Sequence, residues 1–169
     1  MSAQLLLVRH AAAYDRNPRR WPRDADRPLT PDGIARARKV AAGAKRMLER
    51  PGVVLTSPFV RARDTAALFA EVAGWPEGID CEALRPGGGI EAILEAVSER
   101  CGQGGTVAAF GHQPDLGSLL AACLRGGARG QAFELKKSAI ACIGFGGAAR
   151  SGTGTLRWLL PPRILRALR

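Results

Sequence analysis

Short apolar runs, bounded by glycine, proline or polar residues, divide the chain into alternating predicted strands and helices. Two runs, over residues 4–8 and 106–110, lack alternating polar positions, which is typical of strands buried on both faces of a parallel sheet. Weaker patterns predict five further strands, over residues 53–56, 79–84, 132–135, 139–143 and 155–159. We expect these two continuous runs to form strands that are buried on both faces of the sheet.

Helix signals lie between these strands. Thr30 and Pro31 are typical of an N-cap and a first helical turn, and predict a helix that ends before Pro51. Ser57 and Pro58 repeat that signature and predict a second helix that extends to about residue 73. The positions expected to face inward on these two helices are Ile34, Ala37, Ala41, Ala44, Leu48, Ala62, Ala66, Phe69 and Ala70. Two more helices are predicted over residues 90–101 and 114–124.

The order of these elements indicates the fold class. Strands alternate with helices through most of the chain, and the last third is richer in strands joined by glycine-rich turns. This order predicts a three-layer α/β/α sandwich with a mostly parallel central sheet and antiparallel edge strands. Because neither a repeat nor a linker is visible, we expect residues 1–169 to form a single domain.

Composition narrows the choice of partners and compartment. The formal charge of +10 favours anionic partners, although an Arg- and Ala-rich coding bias would produce the same excess. No secretory signal is visible, and no apolar segment approaches the roughly 20 residues of a membrane span. The scattered cysteines read as buried thiols in a reducing compartment, which predicts a cytoplasmic location. These cysteines are Cys81, Cys101, Cys123 and Cys142.

The two histidines of the chain, His10 and His112, each follow one of the predicted buried strands. Because the carboxyl ends of parallel strands meet at one edge of a sheet, we expect the two imidazoles to share a site. A metal requires three or four ligands, and the chain has neither H-x-x-x-H nor a cysteine cluster. A two-histidine metal site completed by acidic residues remains the less favoured alternative.

Two arginines complete the predicted site. Arg9 directly precedes His10, and Arg61 lies in the first turn of the second predicted helix. The first turn of a helix carries a partial positive charge, so a cation there is unfavourable unless an anion binds beside it. The simpler alternative is that Arg61 extends into solvent, as we expect for Arg63. Thr65, one turn further on, lies on the same helical face as Arg61.

This set of side chains suits a phosphoryl group. A neutral imidazole can attack phosphorus to give a covalent phosphohistidine that water then hydrolyses. Two guanidinium groups can neutralise the equatorial oxygens without a metal. His112 would add a hydrogen-bond donor if it were protonated, as its ordinary pKa permits. We therefore expect Arg9, His10, Arg61 and His112 to bind phosphate and catalyse its transfer.

Several sequence motifs, in their order along the chain, resemble those of one family. The matching segments are Arg9-His10-Ala11, Arg27-Pro28-Leu29-Thr30 with Gly33, Ser57-Pro58 through Arg61-Ala62 and Thr65, Gly111-His112-Gln113-Pro114, Lys137-Ser138-Ala139 and Trp158-Leu159-Leu160-Pro161. Together they resemble the histidine phosphatase superfamily, with its phosphoglycerate mutase-like fold, and within it the SixA-type phosphohistidine phosphatases. Ala11 stands where that superfamily usually has glycine.

The resemblance implies a metal-independent phosphatase without a cofactor, in which His10 is the phosphorylated nucleophile. It implies that Arg9 and Arg61 clamp the phosphate and that His112 is the second histidine of the pocket. The implied substrate is a phosphorylated protein or a small phosphorylated molecule, with no nucleic acid or membrane as partner. The acid that protonates the leaving group in larger members has no clear counterpart. Its candidates are Asp15, Glu82 and Asp115, each of which could equally be a capping or surface carboxylate.

Two other functions stay open at this point. A non-catalytic module that binds phosphoprotein, polyphosphate or nucleic acid would use the net charge and the basic tail over residues 162–169, but would not require both histidines. A mutase is disfavoured by the short chain and by the missing acid. The polar loop between residues 11 and 28 either steers substrates or is a solvated insertion, and for its middle we favour the insertion. Its arginines are Arg16, Arg19, Arg20 and Arg23.

Overall fold

The computed structural model describes residues 3–101, 104–125 and 133–168. A six-stranded sheet lies at its centre, with strand order β3-β2-β4-β1-β5-β6. The strands are β1 (Ala3–Arg9), β2 (Val53–Thr56), β3 (Gly78–Asp80), β4 (Thr106–Gly111), β5 (Ile140–Phe145) and β6 (Gly154–Leu160). The first four are parallel, and β5 and β6 join antiparallel, as the sequence predicts.

Helices cover both faces of this sheet. They are α1 (Pro31–Met47), α2 (Val60–Ala73), α3 (Ile90–Cys101), α4 (Asp115–Arg125) and α5 (Pro162–Ala167). Alternate residues of β1 enter separate cores: Leu5 and Leu7 pack with α3 and α4, whereas Leu6 and Val8 pack with α1, α2 and α5. A strand buried on both faces carries no polar positions, which explains the continuous apolar runs and confirms the three-layer sandwich.

Close packing of α1 positions the loop that follows β1. The N-cap side chain of Thr30 accepts a hydrogen bond from the Gly33 amide, and its backbone amide donates to the Ala12 carbonyl. A side chain at Gly33 would overlap that same carbonyl, so only glycine permits the approach. The inward face of α1 therefore begins at Gly33, and the expectation that Ile34 faces inward is wrong, since it is 37% exposed.

Three further predictions are corrected. Helix α2 begins at Val60 with Phe59 as its N-cap, because Ser57 is engaged elsewhere. The strand expected over residues 79–84 ends at Asp80, since its partner β2 ends at Thr56, and a 3₁₀ turn follows over Glu82–Leu84. Residues 133–135 form no strand, and Ala132 lies outside the described residues.

The predicted basic tail is helix α5 as far as Ala167, and Arg169 falls outside the described residues. Leu165 of α5 is buried against α1, in the core that also contains Val8. Among the described helices, none has both the length and the apolar composition needed to cross a bilayer.

Candidate active site

The two histidines follow strands that are direct neighbours. Parallel pairing of β1 with β4 places Arg9 opposite Gly111, and the His10 amide donates to the Gly111 carbonyl at 3.0 Å. The imidazole centroids of His10 and His112 are 5.1 Å apart, and the residues are 7% and 4% exposed. The structure thus brings together the two rings that the sequence predicts to meet.

Backbone contact determines the tautomer of His10. Its Nδ1 lies 2.7 Å from the Ala11 carbonyl oxygen. A carbonyl oxygen can only accept, so Nδ1 carries the proton and donates it in this hydrogen bond. Nε2 of His10 is therefore left with a free lone pair, which is the form that a nucleophilic imidazole requires.

The second imidazole is held by the segment between β2 and α2. Nε2 of His112 lies 2.8 Å from Ser57 Oγ, and the ring of Phe59 packs edge-on against it at a centroid distance of 5.3 Å. Ser57 Oγ also accepts a hydrogen bond from the Phe59 amide. These contacts explain why Ser57 does not cap α2. They make Ser57 and Phe59 positioning residues for His112, a role that the sequence analysis assigned to neither.

Arg9 is anchored by the segment that precedes β5. One of its guanidinium nitrogens, Nη1, donates to the Leu135 carbonyl at 2.6 Å. Its backbone amide donates to the Ala139 carbonyl, and its carbonyl accepts from the Ser138 amide. The Nε of Arg9 is buried without a hydrogen-bond partner among the described residues. Arg9 therefore lies at the sheet edge with a donor still to be satisfied.

Arg61 is 3% exposed and does not extend into solvent. Its two terminal nitrogens donate to Asp24, one to the carbonyl at 2.8 Å and one to the carboxylate at 3.0 Å. Its Nε is buried without a partner in the described part of the chain, and its Cζ lies 4.9 Å from the centroid of the Phe59 ring. Thr65 accepts from the Ala11 amide and donates to the Arg61 carbonyl, which ties α2 to the loop after His10.

Asp24 and Arg27 also contact the site, although the sequence analysis assigned neither of them a role there. Arg27 Nε donates to the Asp24 carboxylate at 3.0 Å, and its Nη1 donates to the Tyr14 carbonyl at 2.6 Å. The end of the polar loop is therefore attached to the site through Arg61, whereas residues 15–20 in its middle are exposed, in agreement with the solvated insertion favoured there. An acid three residues before the arginine of the Arg27-Pro28 motif was the available signal.

Burial and positive charge keep both imidazoles neutral. Burial, followed by the charges of Arg61, Arg9 and Arg27, lowers the pKa of His10 to about 3, against the opposing effect of its hydrogen bond to Ala11. Burial and the neighbouring His10 and Arg61 likewise lower the pKa of His112 to about 3. A protonated His112 is therefore not the form of the substrate-free site, because the nearby cations oppose a further charge.

The carboxylate of Asp24 responds to the same charges. Burial raises its pKa, but the guanidinium groups of Arg61 and Arg27 outweigh this and lower it below the ordinary value. Asp24 is therefore ionised at neutral pH and holds Arg61 in place. A carboxyl with a lowered pKa is a poor proton donor, so we do not assign it that role.

We expect the fold to lose stability in acid because of these histidines. An unfolded histidine has a pKa near 6.5, so between that pH and about 3 the unfolded chain binds more protons than the folded chain. The free energy of unfolding should fall by up to about 1.4 kcal/mol per pH unit for each histidine as the pH drops through this window. Urea titrations between pH 7 and pH 4 measure this slope. The double variant His10→Ala/His112→Ala should show a shallower slope, and equal slopes would contradict the assigned neutral forms.

The three candidate acids have other partners or none. Asp15 is exposed on the polar loop, and Glu82 is exposed and pairs with Arg85 at 2.9 Å. Asp115 Oδ2 accepts from the Gly87 amide at 3.0 Å. The hydrogen bonds and ion pairs of the described residues connect none of the three to either histidine. In the same part of the chain, no group of three or more His, Cys, Asp or Glu side chains could hold a metal.

Comparison with known proteins agrees with this arrangement. A model of the histidine phosphatase superfamily (branch 1) matches residues 5–85. An uncharacterised protein of Picosynechococcus sp. is 34% identical over 169 residues, which cover 94% of this chain and 99% of that protein. The segment matched by the family model includes Arg9, His10 and Arg61.

Solved structures extend the likeness to the whole fold. The protein histidine phosphatase SixA, solved in complex with tungstate, has a TM-score of 0.82 and 27% identity, and the match covers 96% of this chain and 99% of that one. A SixA structure from Nakamurella multipartitia has a TM-score of 0.78 and 25% identity, covering 96% and 97% of the two chains. A phosphoglycerate mutase from Bacillus anthracis shares the fold, with a TM-score of 0.69 and 16% identity over 97% and 95% of the two chains. The chain therefore belongs to the histidine phosphatase superfamily (branch 1) and is a phosphatase whose fold is similar to that of SixA.

Proposed function

We propose that this phosphatase hydrolyses a phosphoester or phosphoramidate, without a metal, through a covalent phosphohistidine on His10. One observation carries the proposal: the Nδ1 proton of His10 is donated to the Ala11 carbonyl, so Nε2 keeps its lone pair inside a cationic cluster. The lowered pKa keeps this nitrogen unprotonated across the physiological range. A buried, neutral imidazole surrounded by arginines suits attack on an anionic phosphoryl group.

The reaction proceeds in two displacements. In the first, Nε2 of His10 forms a bond to phosphorus while the bond to the leaving group breaks, and the leaving group departs with that electron pair. In the second, water attacks the phosphohistidine, the phosphorus–nitrogen bond breaks, and inorganic phosphate is released with His10 neutral again. Over both steps water supplies the hydroxyl to phosphorus and the proton to the leaving group, so the chain is unchanged.

The arginines and the second histidine hold the oxygens in this scheme. Arg9 and Arg61 each have a buried Nε without a partner among the described residues, and these donors suit the equatorial oxygens. Nδ1 of His112 is also buried and unpartnered there. A bound phosphoryl dianion would raise the pKa of His112 and favour its protonated, donating form. The tungstate held by the similar SixA structure supports an oxyanion site in this fold.

The choice of leaving group depends on whether a carboxylic acid is placed to protonate it. The carboxylates of Asp15, Glu82 and Asp115 do not contact the histidines, and Asp24 is held ionised by two arginines. An imidazole leaves phosphorus more readily than an alkoxide and needs less help from a proton donor. We therefore favour phosphohistidine on a protein as the substrate, in agreement with the SixA neighbours. Small aryl phosphates would serve as artificial substrates.

The proposal also covers the organisation and compartment of the chain. Both hydrophobic cores pack against the same sheet, and the match to the relative from Picosynechococcus sp. covers 94% of the chain. These two observations support a single phosphatase domain over residues 1–169. All four cysteines are free thiols, three of them buried, which supports a reducing cytoplasmic compartment.

A substrate panel with chelator present tests the proposal. The purified chain should hydrolyse an aryl phosphate and a phosphohistidine peptide, and should prefer the peptide over sugar phosphates and polyphosphate. A base quench during turnover should trap a phosphoenzyme that is stable in alkali and labile in acid. Binding of these anions with a steep salt dependence but without turnover would instead support a non-catalytic anion-binding module. Loss of activity on chelation would contradict metal independence.

A further inference from the structure

A basic groove lies at the same edge of the sheet as the histidines. Strand β5 begins at Ile140, which pairs with Val8 near the end of β1 and with Leu160 at the end of β6. The segment over residues 134–139 and helix α5 therefore flank the carboxyl end of β1, where His10 lies. The cations that line this groove are Arg36, Lys136, Lys137, Arg163 and Arg166.

Two adjoining cavities form the groove. The larger, of about 450 Å³, lies between the 134–139 segment and α5, and the smaller, of about 130 Å³, reaches Ala12, two residues after His10. The cavities share Pro162 and Arg166 in their linings. A polypeptide lying along both would therefore extend from α5 toward the proposed nucleophile.

The charge of the groove is left largely uncompensated. Of the five cations that line the two cavities, only Arg36 forms an ion pair within the described residues, with Asp32 at 2.9 Å. Glu134 is the single acidic residue among the described residues that line the two cavities. The Nε of Arg166 is buried without a hydrogen-bond partner in the described part of the chain. The groove therefore offers several positive charges to an anionic partner.

The loop that carries the lysines is held in a defined shape. Ser138 is buried and adopts a left-handed backbone conformation, with φ of 63°. A non-glycine residue is strained there, so the surrounding hydrogen bonds must impose it. The Ser138 amide donates to the Arg9 carbonyl, while Lys136 and Lys137 stay exposed. The loop thus links the groove rigidly to the proposed phosphate clamp.

The apolar part of the lining indicates the kind of partner. Leu159, Pro161, Pro162 and Ala139 form part of the larger cavity. The described residues that line the two cavities include no aromatic ring, so they offer no stacking surface of the kind typical of single-stranded nucleic acid binding. Acidic side chains with apolar neighbours complement this lining better than a sugar–phosphate backbone does.

We infer that this groove binds an acidic segment of the phosphoprotein substrate, next to the phosphorylated residue. The inference rests on the proposed function, since it names the docking surface of the same site. Charge complementarity with Lys136, Lys137, Arg163 and Arg166 carries it, and an acidic polypeptide is the occupant. Docking of this kind lowers KM for a protein substrate and leaves a small substrate unaffected.

Two phosphohistidine peptides of equal length, one with Asp- and Glu-rich flanks and one with Ser- and Ala-rich flanks, test the groove. We expect the full chain to favour the acidic peptide by about five- to tenfold in kcat/KM, an effect that several exposed ion pairs supply together. The variant Lys136→Glu/Arg163→Glu should lose this preference through KM. Its kcat/KM for an aryl phosphate should stay within about twofold of the unmodified chain.

The matched control is Arg50→Glu/Arg100→Glu, which makes the same change in net charge at exposed positions near the amino ends of β2 and β4, at the opposite edge of the sheet from the groove. It should keep the preference, and an equal loss in both variants would overturn the inference in favour of a general charge effect. An unmodified chain without preference would also overturn it, as would stronger competition by a single-stranded oligonucleotide than by an acidic peptide. If the aryl phosphate is not hydrolysed at all, the proposed function fails, and anisotropy of a labelled acidic peptide still tests the groove.

Discussion

Replacing His10 with alanine should lower kcat for an aryl phosphate by at least about 10³-fold and abolish the trapped phosphoenzyme. The reason is the loss of Nε2, the nitrogen whose lone pair is left free by the Nδ1 hydrogen bond to Ala11. The buried ring is also the group on which the charges of Arg9, Arg27 and Arg61 act. Steady-state assays on the aryl phosphate measure the fall in kcat, and a base quench with a substrate labelled in its phosphate measures the loss of the phosphoenzyme.

His112→Ala is the matched control for this prediction. It removes an imidazole of similar burial, 5.1 Å away, without removing the proposed nucleophile. We expect activity to fall by about 10²-fold because a donor to the phosphoryl oxygens is lost, while the phosphoenzyme still forms. Added imidazole should restore part of the activity of His10→Ala only. A His10→Ala variant that hydrolyses the aryl phosphate at the unmodified rate would exclude the covalent mechanism.

Removing the buried guanidinium of Arg61 should have the second-largest effect. We expect Arg61→Ala to lower kcat/KM by about 10²–10³-fold, because one of the two proposed phosphate clamps is lost and Asp24 is left with Arg27 alone. Arg61→Lys keeps the charge but cannot reproduce the contacts to the Asp24 carbonyl and carboxylate together, so it should restore activity only in part. Steady-state assays on the aryl phosphate give both values.

Arg63→Ala provides the control on the same helix. Arg63 lies two residues further along α2, is exposed, and pairs with Asp80. Because exposed ion pairs contribute little to stability, this variant should keep kcat/KM within about twofold and lose less than about 1 kcal/mol of unfolding free energy. Equal losses in Arg61→Ala and Arg63→Ala would show that α2 is merely destabilised. They would contradict the role assigned to Arg61.

The central elements of the fold were predictable because their signals are local. A strand buried on both faces must exclude polar residues, which made β1 and β4 recognisable and placed His10 and His112 at their ends. The two histidines could be paired before any coordinates, because parallel neighbours end at the same edge. The errors fall where no such local rule applies: Gly33 packs against the Ala12 carbonyl and begins the inward face of α1, which leaves Ile34 exposed.

Only part of the candidate site could be predicted from the sequence, because many of its contacts join residues that are far apart along the chain. Arg61 could be singled out by its position near the start of a helix, but its partner Asp24 lies 37 residues earlier in a loop without periodicity. Ser57 carries the signature of a helix cap, yet its hydroxyl contacts His112, which is 55 residues away. Long-range polar contacts of this kind leave no pattern along the chain, since they depend on how separate elements pack.

By itself, the order of residues determined the layers of this protein, the pairing of its two histidines and the family to which it belongs. Apolar periodicity and capping residues act over a few positions, so they can be recognised from the sequence alone. Only the tertiary structure decided that both imidazoles are neutral and that Asp24 holds Arg61. It alone joined Lys136 and Arg166 into one groove. Burial and the distances between charges decide such properties, and both exist only once the chain has folded.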